Sequence, residues 1–197
     1  MEMTSFEKKI VNSRWFNQLL ARCYYPRRFE LIDHNIRGRV LEIGCGTGWT
    51  TQLLLQHLAA TQITAVDFDE RQIDAAKHRF AGIGLANSKI QFLQGDATEL
   101  SLPDGSFDAA FEFHVFHHIK NYVKAIRETL RILKPGGHFY AMDLGRAFFS
   151  PLVTKLFPPE TTFTRGEFTG QMRAAGFKIE KEFGGEKIFF IDGVKVA

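Results

Sequence analysis

The sequence predicts an α/β fold in which helices cover a mostly parallel, doubly wound sheet. Short apolar runs alternate with amphipathic segments along most of the chain, which is typical of repeated strand and helix units. A glycine-rich turn, LEIGCGTGW, joins the first of these runs to the first helix. Ligands of such sheets bind beyond the carboxyl ends of the strands, so we expect the functional residues there.

Composition and size indicate one globular domain. The chain has 197 residues, of which 45% are hydrophobic and 24% charged, and no apolar run is long enough to cross a bilayer. The first residues, MEMTSFEKKIVNSRW, are charged throughout and lack the apolar region of a secretory signal. Two cysteines, Cys23 and Cys45, are too few for a disulfide framework. We therefore expect a cytoplasmic protein with reduced thiols.

The first half of the predicted sheet is readable from short apolar runs. RVLEIG, at residues 39–44, is the first strand, and a helix begins near Trp49. QITAVDF is the second strand, followed by the helix DERQIDAAKHRFAG. The acidic first turn of this helix and its closing Gly82 suit the two ends of a helix. KIQFLQG is the third strand.

The second half contains the clearest helix. FDAAFEF forms the fourth strand after the turn LPDGS. An apolar stripe at alternating spacings of four and three residues then marks one face of a helix, at Ile119, Val123, Ile126, Leu130 and Leu133. LKPGG is predicted to be a turn because it holds a proline and two glycines. HFYAMDL is the fifth strand.

Regular patterning lapses between Gly145 and Thr164. The segment RAFFSPLVTKLFPPETTF has three prolines and many apolar side chains, which is unusual for a solvated loop, and we predict a lid or substrate-pocket element. The helix TRGEFTGQMRAAG follows. The runs FKIEKEF and EKIFFIDGV, separated by two glycines, then predict a hairpin.

The spacing of the glycine turn separates classes of nucleotide-binding protein. Glycines at positions 44, 46 and 48 permit positive φ and let a ligand approach the backbone, and the helix that follows offers N–H groups to an anion. The nicotinamide fingerprint places its third glycine at position 49, where this chain has Trp49, which opposes an oxidoreductase. A P-loop is excluded because no Gly-Lys-Ser or Gly-Lys-Thr follows.

Four motifs in order resemble one family. VLEIGCGTG is similar to motif I of the class I S-adenosylmethionine-dependent methyltransferases, and AVDFDE, GDATELSLPDGSFD and LRILKPGG are similar to the later motifs. The nearest group contains the quinone-biosynthesis, small-molecule and lipid methyltransferases. The resemblance implies S-adenosylmethionine as the cofactor, S-adenosylhomocysteine as the product, and a Rossmann-like α/β fold whose seven-stranded sheet has an antiparallel last strand and helices on both faces.

The resemblance also divides the single predicted domain into four parts. Residues 1–35 form an N-terminal helical cap, and residues 36–143 form the cofactor-binding core. Residues 144–163 form the lid or substrate-pocket insert, and residues 164–197 form the C-terminal helix and strand pair.

Strand ends supply candidate residues for the nucleoside of the cofactor. Asp67 ends the second strand, where its carboxylate suits the ribose hydroxyls, and helix capping is the alternative, although Asp69 is the better placed cap. Phe68 either covers the adenine face or belongs to the core. The resemblance assigns Asp96 to the adenine amino group and the Ala97 N–H to a ring nitrogen, and a simple surface turn is the alternative.

Two acidic residues lie inside apolar strands. An unpaired carboxylate at Glu42 would be costly, so we expect a cationic or donor partner, such as the cofactor's ammonium or backbone N–H groups. Glu112 faces either the methionine end of the cofactor or the substrate, or it joins a structural ion pair. The full predicted cofactor-binding set is Glu42, Gly44, Cys45, Gly46, Gly48, Asp67, Phe68, Asp96, Ala97 and Glu112.

Three histidines follow the fourth strand and are the candidates for catalysis, His114, His117 and His118. Methyl transfer requires mainly alignment, but a base helps when the nucleophile is a hydroxyl, a protonated amine or an acidic carbon. The segment FHVFHHI resembles the family's LHH segment, in which one histidine packs structurally, so both roles stay open. No carboxylate partner is evident at ligand spacing, and we expect no metal, with a site at Glu112 and His114 as the alternative.

The acceptor is less sharply predicted than the cofactor. The 20 phenylalanines suit an apolar, aromatic or lipid-like small molecule, although most such residues pack in cores. DNA is not expected, because EFHV stands where DNA enzymes that methylate amino groups have an Asn/Asp-Pro-Pro-aromatic stretch. RNA and protein substrates stay open. Residues 1–28 hold six basic against two acidic residues, a net +4, which suits weak contact with anionic membrane as well as a solvated helix face. A non-catalytic cofactor-binding regulator is the alternative to an enzyme.

Overall fold

The protein is described here by a computed structural model that covers residues 29–33, 35–83, 89–149 and 162–196. The predicted N-terminal cap and Cys23 lie almost wholly outside these residues. Most of the predicted lid also lies outside them. Within the described ranges, no helix combines the length and hydropathy needed to cross a bilayer.

Seven strands form one sheet. Their bounds are β1 Arg37–Ile43, β2 Ala59–Asp67, β3 Ile90–Gln94, β4 Phe107–Phe113, β5 Leu133–Leu144, β6 Phe177–Gly184 and β7 Ile188–Lys195. The order across the sheet is β3-β2-β1-β4-β5-β7-β6. Each neighbouring pair among β1 to β5 is parallel, and β7 runs antiparallel to both β5 and β6. The predicted seven-stranded sheet with an antiparallel last strand is confirmed, and its order reverses between β1 and β4.

Four helices lie in the described residues, at positions close to those predicted. They are α1 Trp49–His57, α2 Glu70–Gly82, α3 Tyr122–Ile132 and α4 Arg165–Ala175. The Asp69 side chain accepts a hydrogen bond from the Arg71 N–H and caps α2, as predicted. Thr164 and Glu167 form a reciprocal capping box at the start of α4.

Apolar layers cover both faces of the sheet because successive strand residues point to opposite sides. On one face, Phe139 and Ala141 of β5 belong to a buried cluster that includes Ile126 of α3 and Phe168 of α4. On the other face, Tyr140 belongs to a cluster that includes Leu54 of α1 and Phe29. The predicted arrangement of helices on both faces is confirmed.

The predicted turn at LKPGG is wrong, because these residues belong to β5. Phe107 pairs with Leu133, whereas Ala109 pairs with His138, so the extra residues of β5 form a bulge. Proline lacks an amide donor and glycine tolerates positive φ, here 77° at Gly136, and both are accommodated at a bulge as readily as in a turn. The strand consequently begins directly where α3 ends.

Candidate active site

The structure brings the predicted site residues to one edge of the sheet. The glycine turn follows β1, Asp67 ends β2, Asp96 follows β3 and the three histidines follow β4. Parallel strands present their carboxyl ends at a common edge, and here that edge includes the reversal of strand order between β1 and β4. The four strand ends therefore form one candidate site.

The glycine turn is closed on one side and open on another. Gly44, Gly46 and Gly48 have φ of 74°, 51° and 79°, in the left-handed region that glycine favours. A Cβ built on Gly44 would lie 2.3 Å from the Val115 side chain, whereas one on Gly46 would meet nothing within 4 Å. The turn thus packs against the segment after β4 and leaves open space at Gly46, where the sequence predicts a ligand.

Asp67 is fixed against the glycine turn. Its Oδ2 accepts a hydrogen bond from the Gly46 N–H at 2.8 Å, and its Oδ1 accepts one from the Asp69 N–H at 2.9 Å. Burial raises the pKa of Asp67, and the two N–H donors act in the opposite direction. Each carboxylate oxygen has capacity for a second donor, which is what two ribose hydroxyls require. The ribose contact stays a prediction, and Asp69, not Asp67, caps the helix.

The side chains predicted to meet adenine differ in how they are held. Phe68 is 59% exposed, so its alternative role as a core residue is wrong. Asp96 is exposed, and its Oδ1 accepts a hydrogen bond from the Thr98 N–H at 2.7 Å, which is the turn geometry of the alternative interpretation. Ala97 packs against the core on one side of the sheet. The adenine contacts of Asp96 and Ala97 stay predictions.

Glu42 has donor partners that the sequence analysis did not identify. Its buried carboxylate accepts hydrogen bonds from the hydroxyls of Thr50 and Thr51, in the first turn of α1. Burial raises the pKa of Glu42 to about 7, the two hydroxyls oppose this rise, and the nearby Asp67 adds to it. The expectation of a donor is confirmed by the two hydroxyls. A contact between Glu42 and the cofactor's ammonium stays a prediction. Two adjacent threonines opening the helix were the available signal.

A second contact missed by the sequence analysis clamps the glycine turn from α2. The Arg79 Nη1 donates to the Gly48 carbonyl at 2.9 Å, and Nη2 donates to the Gln52 side chain. The guanidinium carbon lies 3.8 Å from the centre of the Trp49 ring. Trp49 therefore supplies a cation–π surface at the position where a nicotinamide-binding turn has glycine.

Glu112 is a buried carboxyl group with unused hydrogen-bonding capacity. Its Oε2 accepts a hydrogen bond from the Val115 N–H at 3.2 Å, and its Oε1 is buried without a partner in the described part of the chain. Burial raises the pKa of Glu112 well above its usual value, and the nearby Asp143 raises it further. Burial thus favours the neutral form of the Glu112 carboxyl group. No cationic side chain in the described part of the chain pairs with Glu112. The alternative role of Glu112, a structural ion pair, is therefore wrong for those residues.

His117 has a carboxylate partner that the sequence analysis did not find. Its Nδ1 lies 2.5 Å from Asp143 Oδ1, and its backbone N–H donates to Asp143 Oδ2 at 3.0 Å. Burial raises the pKa of Asp143, but His117, His114 and the Leu144 N–H together outweigh this effect, so the pKa falls below its ordinary value. Asp143 lies 26 residues away in the chain, at the end of the neighbouring strand, so the spacing of residues did not reveal this partner.

The other two histidines differ from His117. His114 has a φ of 60°. No other non-glycine residue in the described ranges has a positive φ, and this conformation is strained. The rings of His117 and His118 lie 4.0 Å apart. Burial, with a further contribution from His117, lowers the pKa of His118 to about 3, which makes it a poor proton acceptor at neutral pH.

Aromatic side chains stand beside this polar cluster. The Phe149 ring centre lies 5.8 Å from that of His117, and the Phe148 ring lies 5.5 Å from that of Phe149. Phe148 is 48% exposed. Both follow β5, at the described edge of the predicted lid, and they give the region beyond β4 and β5 an apolar wall.

The chain matches a family model described as a methyltransferase domain over residues 41–141. A probable S-adenosylmethionine-dependent methyltransferase of Mycolicibacterium smegmatis is 32% identical over 182 residues, which cover 89% of this chain and 67% of that relative. A demethylmenaquinone methyltransferase of Leptospira interrogans is 33% identical over 67% of the chain and 54% of its own length. A sterol 24-C-methyltransferase of Gibberella zeae is 35% identical over 51% of the chain and 26% of its own length. The chain thus spans about half or less of the last two relatives.

Solved structures share the fold at low sequence identity. A methyltransferase from Aquifex aeolicus, described as SAM dependent, has a TM-score of 0.78 and 18% identity, and covers 99% of this chain and 100% of its own. The [4+2]-cyclase SpnF has a TM-score of 0.75 and 20% identity over 95% of this chain and 85% of its own. The same architecture therefore occurs in proteins whose described reactions differ.

Proposed function

The chain belongs to the class I S-adenosylmethionine-dependent methyltransferases, and from this premise we propose that it methylates a small apolar acceptor with an aromatic or lipid-like body. It is an enzyme that uses S-adenosylmethionine and releases S-adenosylhomocysteine. Family membership contradicts the nicotinamide oxidoreductase and favours the enzyme over the cofactor-binding regulator. The proposal therefore concerns the chemical class of the methyl acceptor.

The residues at the ends of β1 and β2 fit this cofactor. The turn has open space at Gly46, and the Asp67 carboxylate beside it has capacity for further donors. Phe68 exposes a flat apolar ring at the same edge. When bound, the cofactor supplies a methyl group on a positively charged sulfur. The chain's task is to hold that group in line with the acceptor and to exclude water.

The observation that carries the acceptor class is the aromatic wall beside the buried polar cluster. Phe149 and Phe148 stand next to His117, so one surface is apolar while the other offers a few polar atoms. Ligand pockets for apolar molecules have this division, in which the polar groups fix orientation. The relatives named for demethylmenaquinone and for sterols support an apolar acceptor.

A methyl-transfer assay against a mixed panel tests the proposal. The protein would be incubated with S-adenosylmethionine and, separately, 2-naphthol, 1,4-dihydroxynaphthalene, a sterol, oleate and glycine. We expect a mass shift of one methyl group in at least one apolar compound and none in glycine. Transfer to glycine alone, or S-adenosylhomocysteine binding without transfer to any compound in this panel or in a pooled metabolite extract, would contradict the proposal.

Contact with an anionic membrane is a second part of the proposal. Its support is the net charge of +4 in residues 1–28, which lie outside the described residues, together with the apolar acceptor. Cosedimentation with phosphatidylglycerol vesicles at low salt, and not with phosphatidylcholine vesicles, is the expected result. Equal recovery with both lipids would contradict electrostatic contact.

A further inference from the structure

The pair formed by His117 and Asp143 is built more rigidly than packing alone requires. One carboxylate holds the histidine twice, through the ring at 2.5 Å and through the backbone N–H at 3.0 Å. The Leu144 N–H also donates to Asp143 Oδ1, at 2.7 Å. His117 is 4% exposed and Asp143 is fully buried, so water does not compete for these bonds. The imidazole orientation is therefore fixed.

This arrangement also sets which ring nitrogen carries hydrogen. An ionised carboxylate only accepts hydrogen bonds, so Nδ1 must carry the hydrogen that it donates to Asp143. The lowered pKa of Asp143 keeps that carboxylate ionised near neutral pH. Neutral imidazole then has its lone pair on Nε2, the atom that can receive a proton.

The groups around His117 determine which charge can stabilise a proton on its ring. Burial raises the pKa of Glu112 of β4 and so favours its neutral form, and His118 and His114 share the turn of His117. The other element packed on this turn is α3, whose first ionisable side chains are engaged elsewhere: Tyr122 stacks on Phe168, and Lys124 pairs with Glu99. Asp143 is thus the carboxylate placed to stabilise a protonated His117.

We propose that Asp143 is a positioning residue that holds His117 as the proton acceptor, and that the methyl acceptor carries a phenolic or enolic hydroxyl. This inference rests on the proposed function and deepens it. A protonated amine would bring a second cation beside the sulfonium, whereas a hydroxyl on an aromatic ring arrives neutral. Its acidity, with a pKa of about 10 in a phenol, is within reach of an imidazole base during the reaction.

The proposed step balances in atoms and charge. The hydroxyl proton of the acceptor passes to His117 Nε2, and the hydroxyl oxygen forms a bond to the methyl carbon with its electron pair. The carbon–sulfur bond breaks and its electron pair stays on sulfur, which leaves a neutral thioether. The positive charge moves from sulfur to the imidazolium, which Asp143 stabilises until the proton passes to solvent.

The first test uses a series of 2-naphthols whose ring substituents grade the acidity of the hydroxyl. We expect His117→Gln and Asp143→Asn to lower kcat by about 10²-fold at neutral pH, with the KM for S-adenosylmethionine unchanged. The loss should shrink as the naphthol becomes more acidic and as the pH rises, because the acceptor is then ionised without help. An equal loss for every naphthol at every pH would indicate a merely structural pair and overturn the proposal.

The matched control is a second His–Asp pair outside the site. His138 Nδ1 lies 2.8 Å from Asp192 Oδ1, between β5 and β7. His138→Gln should leave kcat and its dependence on naphthol acidity as in the unmodified protein. The same dependence in this variant as in His117→Gln would show that the effect is not specific to Asp143 and His117.

A second measurement needs no acceptor. In the protein bound to S-adenosylhomocysteine, ¹⁵N chemical shifts should show His117 protonated on Nδ1 and not on Nε2, with this preference weakened in Asp143→Asn. Protonation on Nε2 alone would overturn the proposal even if the enzyme is active. If the tautomer is as expected but no naphthol or other panel compound is methylated, the assignment of the acceptor fails and the paired geometry stands.

Discussion

The ends of β1 and β2 and the ends of β4 and β5 lie at the same edge of the sheet, yet their polar groups are satisfied in different ways. In the first region, Glu42 and Asp67 receive hydrogen bonds on both oxygens from threonine hydroxyls and backbone N–H groups. In the second region, Glu112 Oε1 and His118 Nδ1 are buried without a partner among the described residues. We call the ends of β1 and β2 the completed half of this edge, because the oxygens of Glu42 and Asp67 have partners there. The ends of β4 and β5 are the incomplete half.

The proposed ligands of the two halves offer a reason for this difference. Buried polar atoms without partners are rare because each one lowers stability by about 1–3 kcal/mol. We propose that the completed half holds the cofactor, whose chemistry is fixed, so that its scaffold can be built in advance. The incomplete half also contains the strained backbone of His114. We infer that its polar atoms obtain their partners from bound ligand, and this makes the acceptor region the less stable of the two.

The largest expected effect lies at Gly44, where the two regions touch. Gly44→Ala would place a Cβ 2.3 Å from Val115 at a φ of 74°, so both a clash and backbone strain result. We expect the free energy of unfolding to fall by about 2–4 kcal/mol in urea denaturation. The control, Gly46→Ala, meets nothing within 4 Å and should lose much less stability while still weakening S-adenosylhomocysteine binding. Equal destabilisation would show that the two regions are not packed against each other at Gly44.

The next effect is a pH dependence in the completed half. The pKa of Glu42 is about 7 in the fold against an ordinary 4.5, so between these values the folded chain keeps a proton that the unfolded chain has lost. Stability from this residue therefore falls as the pH rises through that window, by at most about 3 kcal/mol. Glu42→Gln should flatten the slope and unfold at higher denaturant concentration at pH 8. An unchanged slope would mean that the threonines keep Glu42 ionised.

A smaller effect is expected at Asp67, on cofactor affinity. Asp67→Ala removes the acceptor for the Gly46 N–H as well as the predicted ribose contact. We expect calorimetry to show S-adenosylhomocysteine binding weaker by about 2 kcal/mol, or roughly 30-fold. Asp69→Ala is the matched control, since it removes the cap of α2 and should lower stability by about 1 kcal/mol without changing affinity. Unchanged affinity in Asp67→Ala would refute the assignment.

The smallest effect concerns the clamp on the glycine turn. Arg79→Ala removes the hydrogen bond to the Gly48 carbonyl and the cation that lies over Trp49. We expect S-adenosylhomocysteine affinity to fall by about 1 kcal/mol, or roughly fivefold, in the same calorimetric assay. Arg79→Lys keeps the charge but not the paired donors. Its affinity for S-adenosylhomocysteine should lie between those of Arg79→Ala and the unmodified protein. Affinity equal to that of the unmodified protein would show that the turn keeps its shape without α2.

Features that depend on neighbouring residues in the chain could be predicted from the sequence. The strands, the helices, the Asp69 cap and the glycine turn each follow from periodicity or from a preference spanning a few positions. The same local preferences mislead at LKPGG, because proline and glycine favour a bulge and a turn alike. The exposed ring of Phe68 cannot be predicted in this way, because one aromatic residue at a strand end has no periodicity to place it.

The sequence by itself determined that a glycine-rich turn follows β1 and that acidic residues and histidines end the next strands. Only the tertiary structure decided which of these groups meet. Thr50 and Thr51 reach Glu42 because α1 folds back over β1, and Asp143 reaches His117 because β5 pairs beside β4 in one register. Hydrogen bonds depend on distances of about 3 Å, and the lateral alignment of strands that sets those distances has no counterpart in the spacing of residues along the chain.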